Sequence, residues 1–507
     1  MQSRIAKLLQ LALLALVGAT TLIPMSQAQK PDAAFSPQIP KVWDEEALRS
    51  WALPLARLGQ PPSYVSADYF YRMPEVTIYR TYPVYAPGKE PPDYLNWLRR
   101  QEPEVVFDPA KLKTEDDWIK AGETVFHSTV ATPTWATGTV EDLHDPAYLK
   151  AVGIPVAADG TLPGVRYSIS RKGEVRWDVM ICAGCHTRVM PDGKEIKGAQ
   201  GNNPNGKRQA YNLRRLGEAP GMPLPPMFSD SSVPWLSPDP AERLKAFSFV
   251  DVLAALEDVR RPGVFPRSGS SWLYPVKAVD LIGIRDRKYL DATGLNRHRG
   301  IGDLMRYAAL VNDVERFNHY GEFRVGAAPP EPPTRARLSE AQLYALALYI
   351  YSLKPPENPN KPSALTRRGE QVFKSEGCAM CHTPPLYTNN KLTPAEGFTI
   401  PEEHKEKYDI LPVSVGTDPR LALQSRKGTG YYRVPSLRGV WYRGPFEHNG
   451  SVATLEDWFD PNRLRDDYAP TGFKGFGVKT RAVKGHEFGL KLGAEDKRAL
   501  IAFLRTL

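Results

Sequence analysis

Cys182, Cys185 and His186 form a C-x-x-C-H motif in "ICAGCHTRVM", and Cys378, Cys381 and His382 repeat it in "GCAMCHTPPL". The chain has four cysteines, and these two motifs use all of them. A bridge inside C-x-x-C would be a redox motif, normally set in a βαβ pattern. Neither copy is embedded that way. Structural zinc pairs its C-x-x-C knuckles about 15–20 residues apart, far closer than positions 182 and 378. C-x-x-C-H is also the attachment pattern of c-type haem. Its two thiols add across the two vinyl groups of one haem, and the histidine that follows supplies an axial nitrogen to the iron. The residues therefore predict two covalent haems, one on Cys182, Cys185 and His186 and one on Cys378, Cys381 and His382.

Such motifs need helices to hold them. "TRRGEQVFKSEGCAMCH" places Gly369 and Phe373 as a G-x-x-x-F helix start before the second motif. The chain closes on "LGAEDKRALIAFLRTL" (492–507), where Leu500, Phe503, Leu504 and Leu507 fall at i, i+3, i+4 and i+7, an amphipathic helix. Both parts recur earlier. "KAGETVF" carries Gly122 and Phe126 at the same spacing, and "LSEAQLYALALYIYSL" (338–353) aligns without gaps to 492–507. Two matched ends, each around one motif, predict a duplication. The expected fold is mainly α, with two cytochrome c-like domains. Residues 111–353 form the first, the Pro-rich 354–363 a linker, and 364–507 the second. The first is enlarged by long loops. Its insert alternates Val165, Tyr167 and Ile169, turns at Lys172–Gly173, and continues with Val175, Trp177, Val179 and Ile181, which predicts a β-hairpin. Loops on that scale build a pocket or merely bury the group they surround. Residues 29–110, rich in Tyr, Trp and Pro, show no period and read as an extended wrap.

Arg4 and Lys7 precede an apolar run from Leu8 to Ile23, and "MSQAQK" offers a small-residue cleavage site after Ala28. The run is shorter than the ~20 residues of a spanning helix. Residues 1–28 therefore read as a cleaved signal peptide, leaving a periplasmic protein without a permanent membrane anchor. The charge of +9 is scattered, with no basic run, so no nucleic-acid partner is expected.

The stretch "YYRVPSLRGVWYRGPFEHNGSVATLEDWF" (431–459), with the duplicated motifs and the terminal "GHEFGLKLGAEDKRALIAFL", resembles the bacterial di-haem cytochrome c peroxidase superfamily. That group includes the haem enzyme that matures methylamine dehydrogenase. "HNGSVATL" and the wide first domain also look like the di-haem rubber oxygenases. The resemblance covers 115–507 in architecture and leaves 29–110 out. It implies His186 and His382 as proximal ligands, a tryptophan between the haems, and bound calcium. It further implies a small cytochrome c or copper protein as electron donor, with hydrogen peroxide or oxygen as oxidant at the first haem. Many members place methionine before the histidine of the H-N-G segment, as sixth ligand to the second haem. Here Glu447 stands there, and no methionine follows Met380. Glu447 or His448 could ligate the iron, or the position could be open. Alternatively His448 is structural and Glu447 pairs with Arg443 or Arg438. His127, Met222, Met227, His298, Met305 and His319 are weak distal candidates for the first haem. The sequence thus reads as an exported di-haem peroxidase-like oxidoreductase. Its alternatives are a rubber-oxygenase-like dioxygenase and a non-catalytic electron-transfer cytochrome.

Overall fold

Gly122 and Gly369 explain the central helix packing. The computed structural model describes residues 35–129, 138–179, 182–217, 231–259, 261–265, 272–324 and 327–507. Residues 38–507 form one unit, and the signal-peptide reading lies outside the described residues. The fold is mainly α, with short strands. Among the described residues no helix is long and apolar enough to cross a membrane.

In chain order, the elements that matter here begin with β1 (Thr81–Tyr85), α1 (Tyr94–Arg99) and α2 (Glu115–Phe126). They continue with β2 (Thr161–Arg171), β3 (Glu174–Val179), α3 (Asn205–Leu216) and α4 (Glu340–Ser352). The last two are α5 (Ala364–Ser375) and α6 (Ala494–Arg505). Helices α2, α4 and α5 each start at a capping box, from Thr114, Ser339 and Ser363, which satisfies amides the first turn leaves bare. Helix α2 packs on α4, and α5 on α6. A β-carbon on Gly122 would stand 1.9 Å from the Ala345 carbonyl oxygen and 2.8 Å from Tyr349 Cβ. One on Gly369 would stand 1.9 Å from the Ala499 oxygen and 2.7 Å from Phe503 Cβ. The two crossings are the same contact made twice. Both glycines lie inside their helices rather than at a helix start, because the close approach falls mid-helix.

The hairpin is present. Val165 pairs with Val179 and Tyr167 with Trp177, and Gly173 takes the left-handed turn position at φ 81°. Ile181 lies outside the described residues. A third strand comes from the extension: β1 lies antiparallel on β2, pairing Thr81 with Ser168 and Tyr82 with Tyr167. Pro83 fits there because an edge strand has a side that needs no donor. The extension is therefore more than an extended wrap, since it also holds short helices and two buried tryptophans. Trp51 donates its indole N–H to the Arg297 carbonyl at 3.0 Å, and Trp43 to that of Val65 at 2.8 Å. The Val42 amide donates to Glu340 at the start of α4.

Candidate functional site

Helix α5 ends at Ser375, Gly377 reverses the chain at φ 73°, and Cys378–Met380 form a single tight turn that delivers His382 into the interior. His382 Nδ1 lies 3.2 Å from the Tyr387 carbonyl and 3.1 Å from that of Pro435. Both partners are acceptors, so Nδ1 carries the hydrogen and Nε2 keeps its lone pair. Burial holds the ring neutral, with its pKa near 4. A metal-ligating histidine is oriented in this way, through its other nitrogen.

A cavity of about 240 Å³, partly open to solvent, is lined by Cys378, Cys381, His382, Glu447, His448 and His486, with apolar walls from Phe459, Leu500 and Leu504. The His486 ring faces His382 with 6.2 Å between ring centres and 55° between planes. Its Nδ1 is buried without a hydrogen-bond partner. Burial, then the neighbouring His382, pulls its pKa to about 3. The backbone around His486 is pinned. Arg463, 1% exposed, donates to the carbonyls of Trp458, Val483, Gly485 and His486 at 2.6–2.9 Å. A β-carbon on Gly485, at φ 81°, would strike the Gly416 carbonyl carbon at 2.2 Å. His486 itself takes the strained φ of 47°.

Glu447 lines the same cavity at φ 67°. Its Oε1 meets His448 Nδ1 at 3.1 Å, while the His448 ring stacks on Tyr432 at 4.5 Å. The expected pairing of Glu447 with Arg443 or Arg438 is not formed. Arg443 turns to Asp280 and to the carbonyls of Ser436 and Arg438, and Arg438 to Asp286, so other acceptors hold both guanidinium groups. No methionine lines the cavity. One edge is cationic. Lys277, Arg433 and Arg443 line it, with the buried Arg287 behind. Burial, then the neighbouring Arg443, pulls Lys277 down to about 8. Arg287 keeps a buried Nη1 without a hydrogen-bond partner. These cations call for an anion that the chain only partly supplies.

At the first motif, Ala183 N–H donates to the Phe126 carbonyl at the end of α2, and His186 N–H to that of Cys182 at 3.0 Å. The second motif makes the same turn, His382 N–H to Cys378 at 2.9 Å. None of the four cysteines is in a disulfide. Arg208 on α3 is 2% exposed, and its Nε and Nη1 have no hydrogen-bond partner. It lies over the Trp177 ring at 5.4 Å, and its charge acts on Cys185. His298 spends both ring nitrogens, on the Arg287 carbonyl and the Tyr351 hydroxyl. His319 engages Arg324, His127 bonds the Glu123 carbonyl, and Met305 is core. Met222 and Met227 lie outside the described residues. Trp441 packs on the cluster of Ile196, Ala199 and Tyr442 and lines a cleft with Arg188 and Arg443. No group of three or more His, Cys, Asp or Glu that could hold a metal ion occurs among the described residues.

No family model matches the chain. A cytochrome-c peroxidase IdrP1 from Pseudomonas sp. (strain SCT) is 30% identical over 159 residues, 28% of this chain and 39% of that protein. The IdrP1 of Denitromonas iodatirespirans is 29% identical over 163 residues, 29% and 40% respectively. The chain resembles the di-haem cytochrome c peroxidase-like superfamily. It matches only about two fifths of the length of these curated cytochrome-c peroxidases. A MauG-like protein associated with microbial copper homeostasis aligns over 46% of this chain and 73% of its own, at 18% identity and a TM-score of 0.28, which carries no argument. For a cytochrome c peroxidase relative, His486 is the residue that sequence reasoning missed. It sits in "GHEFGLK", inside a stretch used for the resemblance, but nothing in its spacing to His382 marks it.

Proposed function

We propose that the chain is a di-haem c-type cytochrome acting as a peroxidase-like oxidoreductase. It takes electrons from a small cytochrome c or copper protein and delivers them to hydrogen peroxide or oxygen on the side of the first motif. One observation carries this reading: His382 and His486 face each other across a cavity that also holds Cys378 and Cys381. Two imidazole nitrogens, each about 2 Å from one metal ion, leave ring centres roughly 6 Å apart, and 6.2 Å is observed. Haem bound at the two motifs supplies one-electron chemistry. Cys182, Cys185 and His186 hold one group, and Cys378, Cys381 and His382 the other. His486, whose ring faces His382 and whose Nδ1 has no hydrogen-bond partner, would help hold the group at the second site. Arg463 fixes the His486 turn. Lys277, Arg433 and Arg443 would offset negative charge on a group bound at the second site, and Arg208 would offer its unpartnered nitrogens at the first. Trp441, which packs on Ile196 and lines a cleft with Arg188 and Arg443, is the tryptophan we assign to the place between the sites.

The matched helix crossings support two cytochrome c-like domains, 111–353 and 364–507, joined by 354–363. Residues 29–110 precede them, and an export signal at 1–28 would place the protein in the periplasm. The intact mass of the unfolded protein should exceed the polypeptide by two haems. Bound zinc without haem absorbance would end this reading. Stopped-flow mixing with peroxide, on oxidised and half-reduced protein, should show one haem reacting while the other stays six-coordinate. If neither reacts with peroxide, oxygen or cyanide, the chain is an electron carrier. Oxygen incorporation into polyisoprene would favour the dioxygenase alternative.

A further inference from the structure

Residues 38–110 lie outside the resemblance to the peroxidases, yet they bring a run of oxidisable rings to the first site. Trp97 on α1 is 41% exposed. It stacks on Tyr94 with 5.8 Å between ring centres and 11° between planes. Tyr94 meets Tyr167 on β2 at 6.3 Å. Tyr167 stands directly opposite Trp177 on β3, and both are buried in one core. Directly opposed residues on paired strands hold their β-carbons about 5 Å apart. Trp177 carries Arg208 on its face, and β2 lies against the motif itself, since a β-carbon on Gly164 would stand 3.6 Å from Gly184 Cα. Aromatic contacts stabilise by about 0.5–1.5 kcal/mol each, which accounts for the buried members. Trp97 also meets Tyr82 edge-on at 5.5 Å, and its exposed part gives the run of rings an end at the surface.

We infer that Trp97, Tyr94, Tyr167 and Trp177 conduct electrons singly from the protein surface to the first C-x-x-C-H site, with Trp97 as the contact for a one-electron aromatic donor of the phenol class. The inference rests on the reading that this motif carries a peroxide-reactive haem. One hydrogen peroxide becomes two waters by taking two electrons and two protons. Two phenols supply them, each losing one electron through the rings and one proton to solvent. Each ring passes one electron inward and regains one from outside, so the rings end unchanged. Tyrosine and tryptophan side chains can be oxidised in this way, whereas phenylalanine cannot.

The test uses the haem-loaded full chain, mixed with peroxide in the absence of donor. Freeze-quench electron paramagnetic resonance should show a Tyr or Trp radical, and peptide mapping should find oxygenated Trp97. Trp177→Phe should abolish the Trp97 label, which direct oxidation from solution would not do. Tyr94→Phe, which removes only a hydroxyl, should abolish it too and covers the case in which Trp177→Phe fails to fold. A donor phenol should protect Trp97 in the unaltered protein. If haem reacts with peroxide but Trp97 is unlabelled, or is labelled equally in Tyr94→Phe, the conduction path is wrong. If no haem is attached or none reacts with peroxide, the peroxidase reading itself fails.

Discussion

Arg463 and His486 show how far one side chain's task depends on another's. With four backbone carbonyls on one guanidinium, replacing Arg463 by methionine leaves acceptors buried without donors. Hydrogen bonds to a charged group contribute about 1.5–3 kcal/mol each and do not add fully, so Arg463→Met should cost on the order of 3 kcal/mol in denaturant unfolding. It should also convert part of the second haem to high spin. The unaltered protein should lack the near-infrared charge-transfer band of His–Met haem. His486→Met should gain that band and raise the potential of this haem, since thioether ligation raises it. Lys277 gives a pH test on the Cys378→Ala/Cys381→Ala protein, which cannot attach the second haem. Its folded pKa of about 8 lies below its ordinary 10.5, so the unfolded state binds more protons between those values. Stability should rise as pH climbs through that window. Attached haem, whose propionates favour the ammonium, should flatten the rise. Cys and His spacing made the motifs legible. His486, Arg463 and Lys277 were not, because their roles come from chain segments that meet only in the folded state.

Helix pairs teach the opposite lesson. The apolar period and the matched ends of 338–353 and 492–507 were readable, and so was the hairpin, because alternation and turn residues are local signals. The reason for Gly122 and Gly369 was not local. By propensity, glycine to alanine inside a helix should stabilise by about 1 kcal/mol. Here a β-carbon would stand 1.9 Å from a carbonyl oxygen in either crossing, and overpacking of a core costs about 1–3 kcal/mol. The contact is far inside van der Waals range, so the second effect wins. Gly122→Ala and Gly369→Ala should each lower the melting temperature, and an unchanged or higher value would refute the crossing. Strand β1 escaped the sequence reading because Pro83 looks like a strand breaker, and only the pairing with β2 reveals an edge position that tolerates it.

Across the whole molecule, the extension is a structural member. Deleting 38–110 would strip β1 from β2 and remove Trp43 and Trp51 from the interior. The truncated protein should aggregate on size-exclusion chromatography, and a monomer with unchanged melting would contradict this. The extension also pairs with parts of the chain made much later. Val42 bonds Glu340, and Leu53 shares a core with Leu392 and Tyr431. A polypeptide emerges N-terminus first, and distant contacts form slowly. The first segment made is therefore among the last to dock. Until α4 and the 390s have been synthesised, Val42 and Leu53 lack these partners, whereas β1 can already pair with β2. Through that interval residues 42–53 would lie open to protease, so brief proteolysis during synthesis should cut there until the 390s have been made and spare the finished protein.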